Sequence, residues 1–140
     1  MTEATIDDLR VLRFGSFTSV EGTLTVFPDT GGLSLDMPIR RVFAVSGVPP
    51  GAVRGNHAHR WCTQAVVCLH GSVSIALDDG QRSTTMKLDA PGSGISIPPG
   101  IWNTLAFEGP DTVVIVFCDQ PYDEADYLRD RAEFEALKRP

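Results

Sequence analysis

The chain has 140 residues, 42% of them hydrophobic, and sets 18 Asp and Glu against 12 Lys and Arg for a formal net charge of −6. That acidity excludes a general electrostatic footprint for nucleic acid, and no window approaches the roughly 20 apolar residues that cross a bilayer as a helix. Neither nucleic acid nor membrane is an expected partner. One domain is expected over 1–140, because this length buries one core well and two poorly. Residues 1–10 are polar and acidic, without the basic start and apolar run of a secretory signal, so the expected compartment is the cytoplasm. Cys62, Cys68 and Cys118 are odd in number and lie in or beside apolar runs, which predicts buried, reduced thiols.

In chain order, apolar residues recur with a period of two almost throughout, punctuated by Gly, Pro and Asp-Gly at short intervals, the pattern of an all-β sandwich or barrel. Strands are predicted at 11–14, 22–27, 41–45, 65–69, 72–77, 83–88, 94–97, 104–107 and 112–118. Asp78-Asp79-Gly80-Gln81 marks a hairpin, since glycine supplies the positive φ of a tight turn. Pro98-Pro99-Gly100 forces a reversal and cannot sit in a central ladder. After a loop at 119–123, the run 124–137 is rich in Ala, Leu, Glu and Arg and is predicted helical, with Asp123 as N-cap. Tyr127, Leu128, Phe134 and Leu137 would pack that helix against the barrel exterior or a partner chain, and Tyr122 and Tyr127 are assigned to this packing.

The segment Gly51-Ala52-Val53-Arg54-Gly55-Asn56-His57-Ala58-His59 continues to Gln64 and Gly71 with the spacing of a cupin metal motif. Its second half is met by Gly92, Pro98 and Gly100. Gln64 stands where that frame has glutamate, however, and Asn103 where it has a third histidine. Carboxamides are weak donors to transition metals, so no metal and no cofactor is expected, although two histidines with Gln64 and water would make a weak site. His57 and His59 alternate with Ala58, so on a strand both imidazoles project to one face, and an ordinary pKa of about 6.5 suits them to proton transfer at neutral pH.

Other candidates surround the pair in sequence. Arg54 offers a bidentate fork for phosphate, and Arg41 belongs with Arg40 and Arg60 to the same basic neighbourhood. Gln64 and Asn103 are candidates to hydrogen-bond a sugar hydroxyl or carbonyl, to orient the histidines, or to serve as satisfied core amides. Trp102 is a candidate to line a pocket mouth and stack on a sugar or base, plain packing being the alternative.

Arg41-Val42-Phe43, Arg54-Gly55-Asn56-His57-Ala58-His59, the run from Gln64 through Val73, Pro98-Pro99-Gly100-Ile101-Trp102 and Tyr122-Asp123-Glu124-Ala125-Asp126-Tyr127-Leu128-Arg129 together resemble the dTDP-4-keto-6-deoxyglucose 3,4-ketoisomerases. The resemblance implies a metal-independent cupin jelly roll with a short C-terminal helix, usually a homodimer. It implies action on a dTDP-linked 4-keto-6-deoxy sugar, with His57 and His59 as the acid/base groups and the carbonyl moving from C4 to C3. An epimerase acting on a related sugar and a non-catalytic sugar-nucleotide binder are the alternatives. The chain departs from the family at two points: strand 41–45 has no tyrosine, and Asn103 follows Trp102 where histidine is usual. Each departure removes a proton-carrying group.

Overall fold

In a computed structural model that describes residues 3–27 and 37–139, the period-two pattern resolves into antiparallel strands. They are β1 (Arg10–Arg13), β2 (Ser16–Ser19), β3 (Gly22–Thr25), β4 (Arg41–Val45), β5 (Val53–His59), β6 (Gln64–His70), β7 (Val73–Asp78), β8 (Ser83–Leu88), β9 (Ser93–Ile97), β10 (Trp102–Phe107), β11 (Val113–Cys118) and β12 (Tyr127–Leu128), followed by the helix α1 (Arg131–Lys138). One five-stranded sheet has the order β1-β9-β6-β11-β4, the other β12-β5-β10-β7-β8, and β2 and β3 form a separate ribbon. This is a cupin-like jelly roll with one short C-terminal helix, as expected.

The core lies between the two sheets. Val66, Cys68, Ile95, Val114 and Val116 of the first meet Val73, Ile75, Leu77, Leu105 and Phe107 of the second. Strand β6 is buried along five consecutive residues because its outer face is covered too, Ala65 and Val67 packing with Leu12, Phe14 and Phe117. A strand covered on both faces shows a continuous apolar run instead of alternation. The three cysteines are free and buried. Asp79 closes the β7–β8 hairpin by accepting the backbone N–H groups of Gln81 and Arg82.

The C-terminal expectation needs correction. Residues Glu124–Asp126 form only a 3-10 turn, capped by the Asp123 side chain, and the chain then extends so that Tyr127 pairs with His59 and Leu128 with Ala58. The α-helix begins later, with Asp130 as its N-cap. Local composition favours a helix across 124–137, but β5 presents an otherwise open edge, and pairing that edge satisfies backbone groups that a helix would leave bare. Leu128 and Phe134, both fully buried, then pack with Ala58 and Trp102 on the outside of the second sheet.

Candidate active site

Ala58 is fully buried on the outer side of β5, so its neighbours His57 and His59 face the barrel interior. Their ring centroids lie 5.0 Å apart, nearly perpendicular. Simple alternation would put Arg54, three residues before His57, on the opposite face. The pairing of β5 with β10 prevents this. Leu105 opposes Arg54 and Asn103 opposes His57, but Thr104 opposes Gly55, which leaves Asn56 as the extra residue of a bulge. Gly55 and Asn56 take positive φ values of 91° and 55°, and a Cβ on Gly55 would come within 3.0 Å of both the backbone and side-chain oxygens of Asn103. The bulge thereby returns Arg54 to the face that carries the histidines.

Between the sheets lies a partly open cavity of about 90 Å³, lined among others by Arg54, His57, Gln64, Asn103 and Tyr127 over a floor of Phe43, Val66, Leu105 and Val116. A larger hollow of about 410 Å³ between the N-terminus and the end of α1 contains neither histidine. Chemistry therefore selects the smaller cavity. His57 Nδ1 lies 3.0 Å from the carbonyl oxygen of Gly55. A carbonyl only accepts, so this bond puts the proton on Nδ1 and leaves Nε2 with a free lone pair. Burial is the chief reason its pKa drops to about 4, with the neighbouring His59 adding to the fall.

His59 sits behind it, only 3% exposed. Its Nδ1 donates to Asp126 Oδ2 at 2.6 Å, while Asp126 Oδ1 accepts the backbone N–H groups of Trp61 and Cys62. Burial lowers the His59 pKa and the Asp126 contact opposes that fall. His59 Nε2 is buried and has no hydrogen-bond partner among the described residues. His59, Cys62 and Asp126 bring ligand-type atoms within 4.8 Å of one another, but the carboxylate is already committed to the imidazole and to two backbone donors.

The amides occupy the positions the sequence indicated. Gln64 and Asn103 are 5% and 3% exposed and both line the cavity. Asn103 Nδ2 donates to the backbone oxygen of His57, and Gln64 Nε2 points to Cys118 Sγ at 3.6 Å. The Cys118 thiol is pulled below its ordinary pKa, chiefly by the S–H of Cys62 and also by Arg41 and Gln64. Arg41 is not a wall of the cavity. Its Nη2 donates to the Tyr127 hydroxyl at 3.1 Å and touches Cys118 Sγ. Arg60, in turn, pairs with Glu133 of α1 and faces away from the site.

Trp102 also differs from expectation. Its indole lies against Phe134, with centroids 5.5 Å apart, in the cluster beneath α1, and it is not among the cavity walls. As the first residue of β10, one position before the inward-facing Asn103, it points outward by strand parity. Two residues of the site were missed in the sequence. Asp126 enters the sequence reading only within the run Tyr122–Arg129, and Tyr127 only there and as tail packing. A buried histidine calls for an acceptor, but Asp123, Glu124 and Asp126 are equal candidates until β12 is paired with β5.

A family model described as FdtA, WxcM-like, C-terminal, matches residues 7–139. The chain belongs to this family. It is 30% identical over 126 residues to the TDP-4-oxo-6-deoxy-alpha-D-glucose-3,4-oxoisomerase of Aneurinibacillus thermoaerophilus, covering 90% of this chain and 89% of that protein. Among solved structures, a histidine variant of the 3,4-ketoisomerase QdtA from Thermoanaerobacterium thermosaccharolyticum, in complex with TDP-4-keto-6-deoxyglucose, is similar with a TM-score of 0.85 and 26% identity, covering 94% of each chain. WlaRA, the TDP-fucose-3,4-ketoisomerase of Campylobacter jejuni, gives 0.83 and 26%, covering 94% of this chain and 96% of its own.

Proposed function

We propose that the protein is a TDP-sugar 3,4-ketoisomerase, moving the carbonyl of a TDP-linked 4-keto-6-deoxyhexose from C4 to C3, with His57 as the base at carbon. The observation that carries this is the free Nε2 of His57, held by the Nδ1 contact to Gly55 and facing a cavity whose other walls are amides, an arginine, a phenol and hydrocarbon. A ketone at C4 acidifies the hydrogen on C3. With its pKa near 4, His57 is neutral at pH 7 and able to accept that proton. The resulting enediolate carries its charge on oxygen, where Arg54 and the amide N–H groups of Gln64 and Asn103 are placed to donate. Return of the proton from His57 to C4, with loss of the O3 hydroxyl proton and protonation of O4, completes the exchange of carbonyl and alcohol.

His59 and Asp126 form a backing pair. The carboxylate holds His59 in one tautomer and favours its cationic form when a proton passes through it. A cavity of about 90 Å³ has room only for the reacting side of a hexose ring, so the nucleotide lies outside the barrel mouth, where Arg54 is exposed to meet the diphosphate. We also propose a homodimer, supported by the solvent-facing Phe17, Val20 and Leu24 of the β2–β3 hairpin, at 63%, 103% and 64% exposure.

The deciding experiment is incubation with TDP-4-keto-6-deoxyglucose in deuterated water, followed by proton NMR. Expected is a product with its carbonyl at C3. A carbonyl left at C4 with deuterium at C3 or C5 would make the protein an epimerase, and tight TDP binding without turnover would make it a binding module.

A further inference from the structure

We propose that Cys118 is held as a thiolate, the counter-charge of Arg41, and that this anion sets the orientation of the Gln64 amide at the wall of the candidate active site. Its effect on turnover rests on the ketoisomerase reading, whereas the ion pair is testable apart from it.

The three residues form a row across the first sheet. Cys118 of β11 has Arg41 of β4 and Gln64 of β6 as its register partners, so their side chains share one face. The sulfur is fully buried, and Arg41 Nη2 and Gln64 Nε2 each lie 3.6 Å from it. Both of these nitrogens donate and neither accepts. The third neighbour, Cys62, has a single S–H, which serves either Cys118 or the carbonyl oxygen of Thr63 at 3.4 Å.

Arg41 supplies the reason for a charge. Its guanidinium is half-buried, touches Cys118 Sγ and the Tyr127 hydroxyl, and lies over the rings of Phe43 and Tyr122. Among the described residues no carboxylate pairs with it. A guanidinium keeps its proton at any working pH, and a charge withdrawn from water calls for an opposite one in contact. Of the two groups in contact that can ionise, a thiol does so more readily than a phenol. The same surroundings bring the Cys118 thiol down to about 6, led by the Cys62 S–H and helped by Arg41 and Gln64 against the effect of burial. The titratable groups facing the sulfur are therefore Arg41 of β4 and Cys62 ahead of β6, with Tyr127 of β12 and the His59–Asp126 pair one contact further away.

The state of the sulfur decides which way round Gln64 stands. A thiolate only accepts, so it draws Nε2. A neutral thiol carries a hydrogen that needs an acceptor, and Arg41 has none. A half-turn of the amide would bring Oε1 to it and reverse the donor and acceptor that Gln64 presents to the cavity it lines. Cys118 is thus a positioning residue, acting on the substrate through Gln64.

The first test needs only the parent chain. Cys62 is pushed above the ordinary thiol range chiefly by its S–H bond to Cys118, and Cys68 by burial, so an ultraviolet thiolate band from the folded protein reports Cys118. The band should be present at about pH 7.5 and fade as pH falls through about 6, and its absence at the higher pH overturns the proposal. The kcat for the 3-keto product should fall through the same range. Cys118→Ser keeps the size and removes the charge. At about pH 7.5 it should lower kcat at least about tenfold, with TDP affinity within about threefold of the parent and no limb near 6. Cys118→Asp restores an anion, and should regain at least about fivefold over the serine variant with its acidic limb moved to lower pH. A serine variant with parental kcat overturns the proposal, as does an aspartate variant that binds TDP normally yet is no faster than serine. A parent whose thiolate band titrates as described but which yields no 3-keto product leaves the ion pair standing and defeats the ketoisomerase reading.

Discussion

Strand β5 and the segment 123–128 both supply polar groups to the candidate site, and they do so by different means. On β5, the histidines share a face because side chains on a strand alternate, a property of neighbouring residues. In the C-terminal segment, Asp126 reaches His59 from 67 positions away, and Tyr127 lines the cavity only because it pairs with His59 at the sheet edge. The contrast separates roles as well as origins. In the proposed reaction the local element provides the base, and Asp126 of the distant element holds the tautomer of His59 behind it.

The sharpest way to break this division is His57→Asn. Turnover of TDP-4-keto-6-deoxyglucose should fall by about 10³-fold or more, the range expected when a general base at carbon is lost. A variant that keeps more than about a tenth of parental turnover would remove the carbon step from His57.

Asp126→Asn probes the distant half. It leaves the cavity walls intact but no longer imposes the His59 tautomer, and kcat should fall roughly 100-fold with little change in TDP affinity. Unchanged kcat would reduce the Asp126 contact to a packing role, and a large loss of TDP affinity would point to collapse of β12 instead.

Gly55→Ala tests whether the β5 bulge places Arg54. A methyl group there meets two Asn103 oxygens at 3.0 Å on a backbone of φ 91°, so about 1–3 kcal/mol of stability should be lost in denaturant unfolding. KM should rise more than kcat falls, because Arg54 is displaced while His57 keeps its place. An alanine variant with parental stability and KM would mean that the bulge adapts.

The smallest expected effect is on the pH dependence of stability. His57 has an ordinary pKa of 6.5 when unfolded and about 4 when folded, so between these values the unfolded chain binds a proton that the folded chain does not. Stability attributable to His57 is full above about pH 6.5 and declines as pH falls toward 4. His57→Asn should flatten the unfolding midpoint against pH in this window, and parallel curves would show that burial does not hold the imidazole neutral.

Much of the barrel was legible because its strands obey short-range rules. Strands 41–45 and 83–88 coincide with their expected limits, and most others differ by a residue or two at either end. Ser16–Ser19 escaped detection because it is exposed along its whole length and so has no apolar period. The helix was placed too early because Ala, Leu, Glu and Arg favour helix wherever no sheet edge competes. Trp102 was expected at the pocket because it adjoins the Pro98-Pro99-Gly100 turn, yet strand parity sends it outward to Phe134 while Asn103 goes in.

What the amino-acid order determined alone was the alternation that builds two sheets, the two imidazoles on one face and the carboxamides at Gln64 and Asn103. Tertiary structure decided the rest. The bulge opposite Asn103 brings Arg54 inward, and the β5 edge chooses Asp126 over its acidic neighbours and puts Tyr127 at the cavity. The physical reason is range: side-chain parity is settled within a few bonds, whereas a bulge or an edge pairing exists only after distant strands have met and every buried backbone group has found its partner.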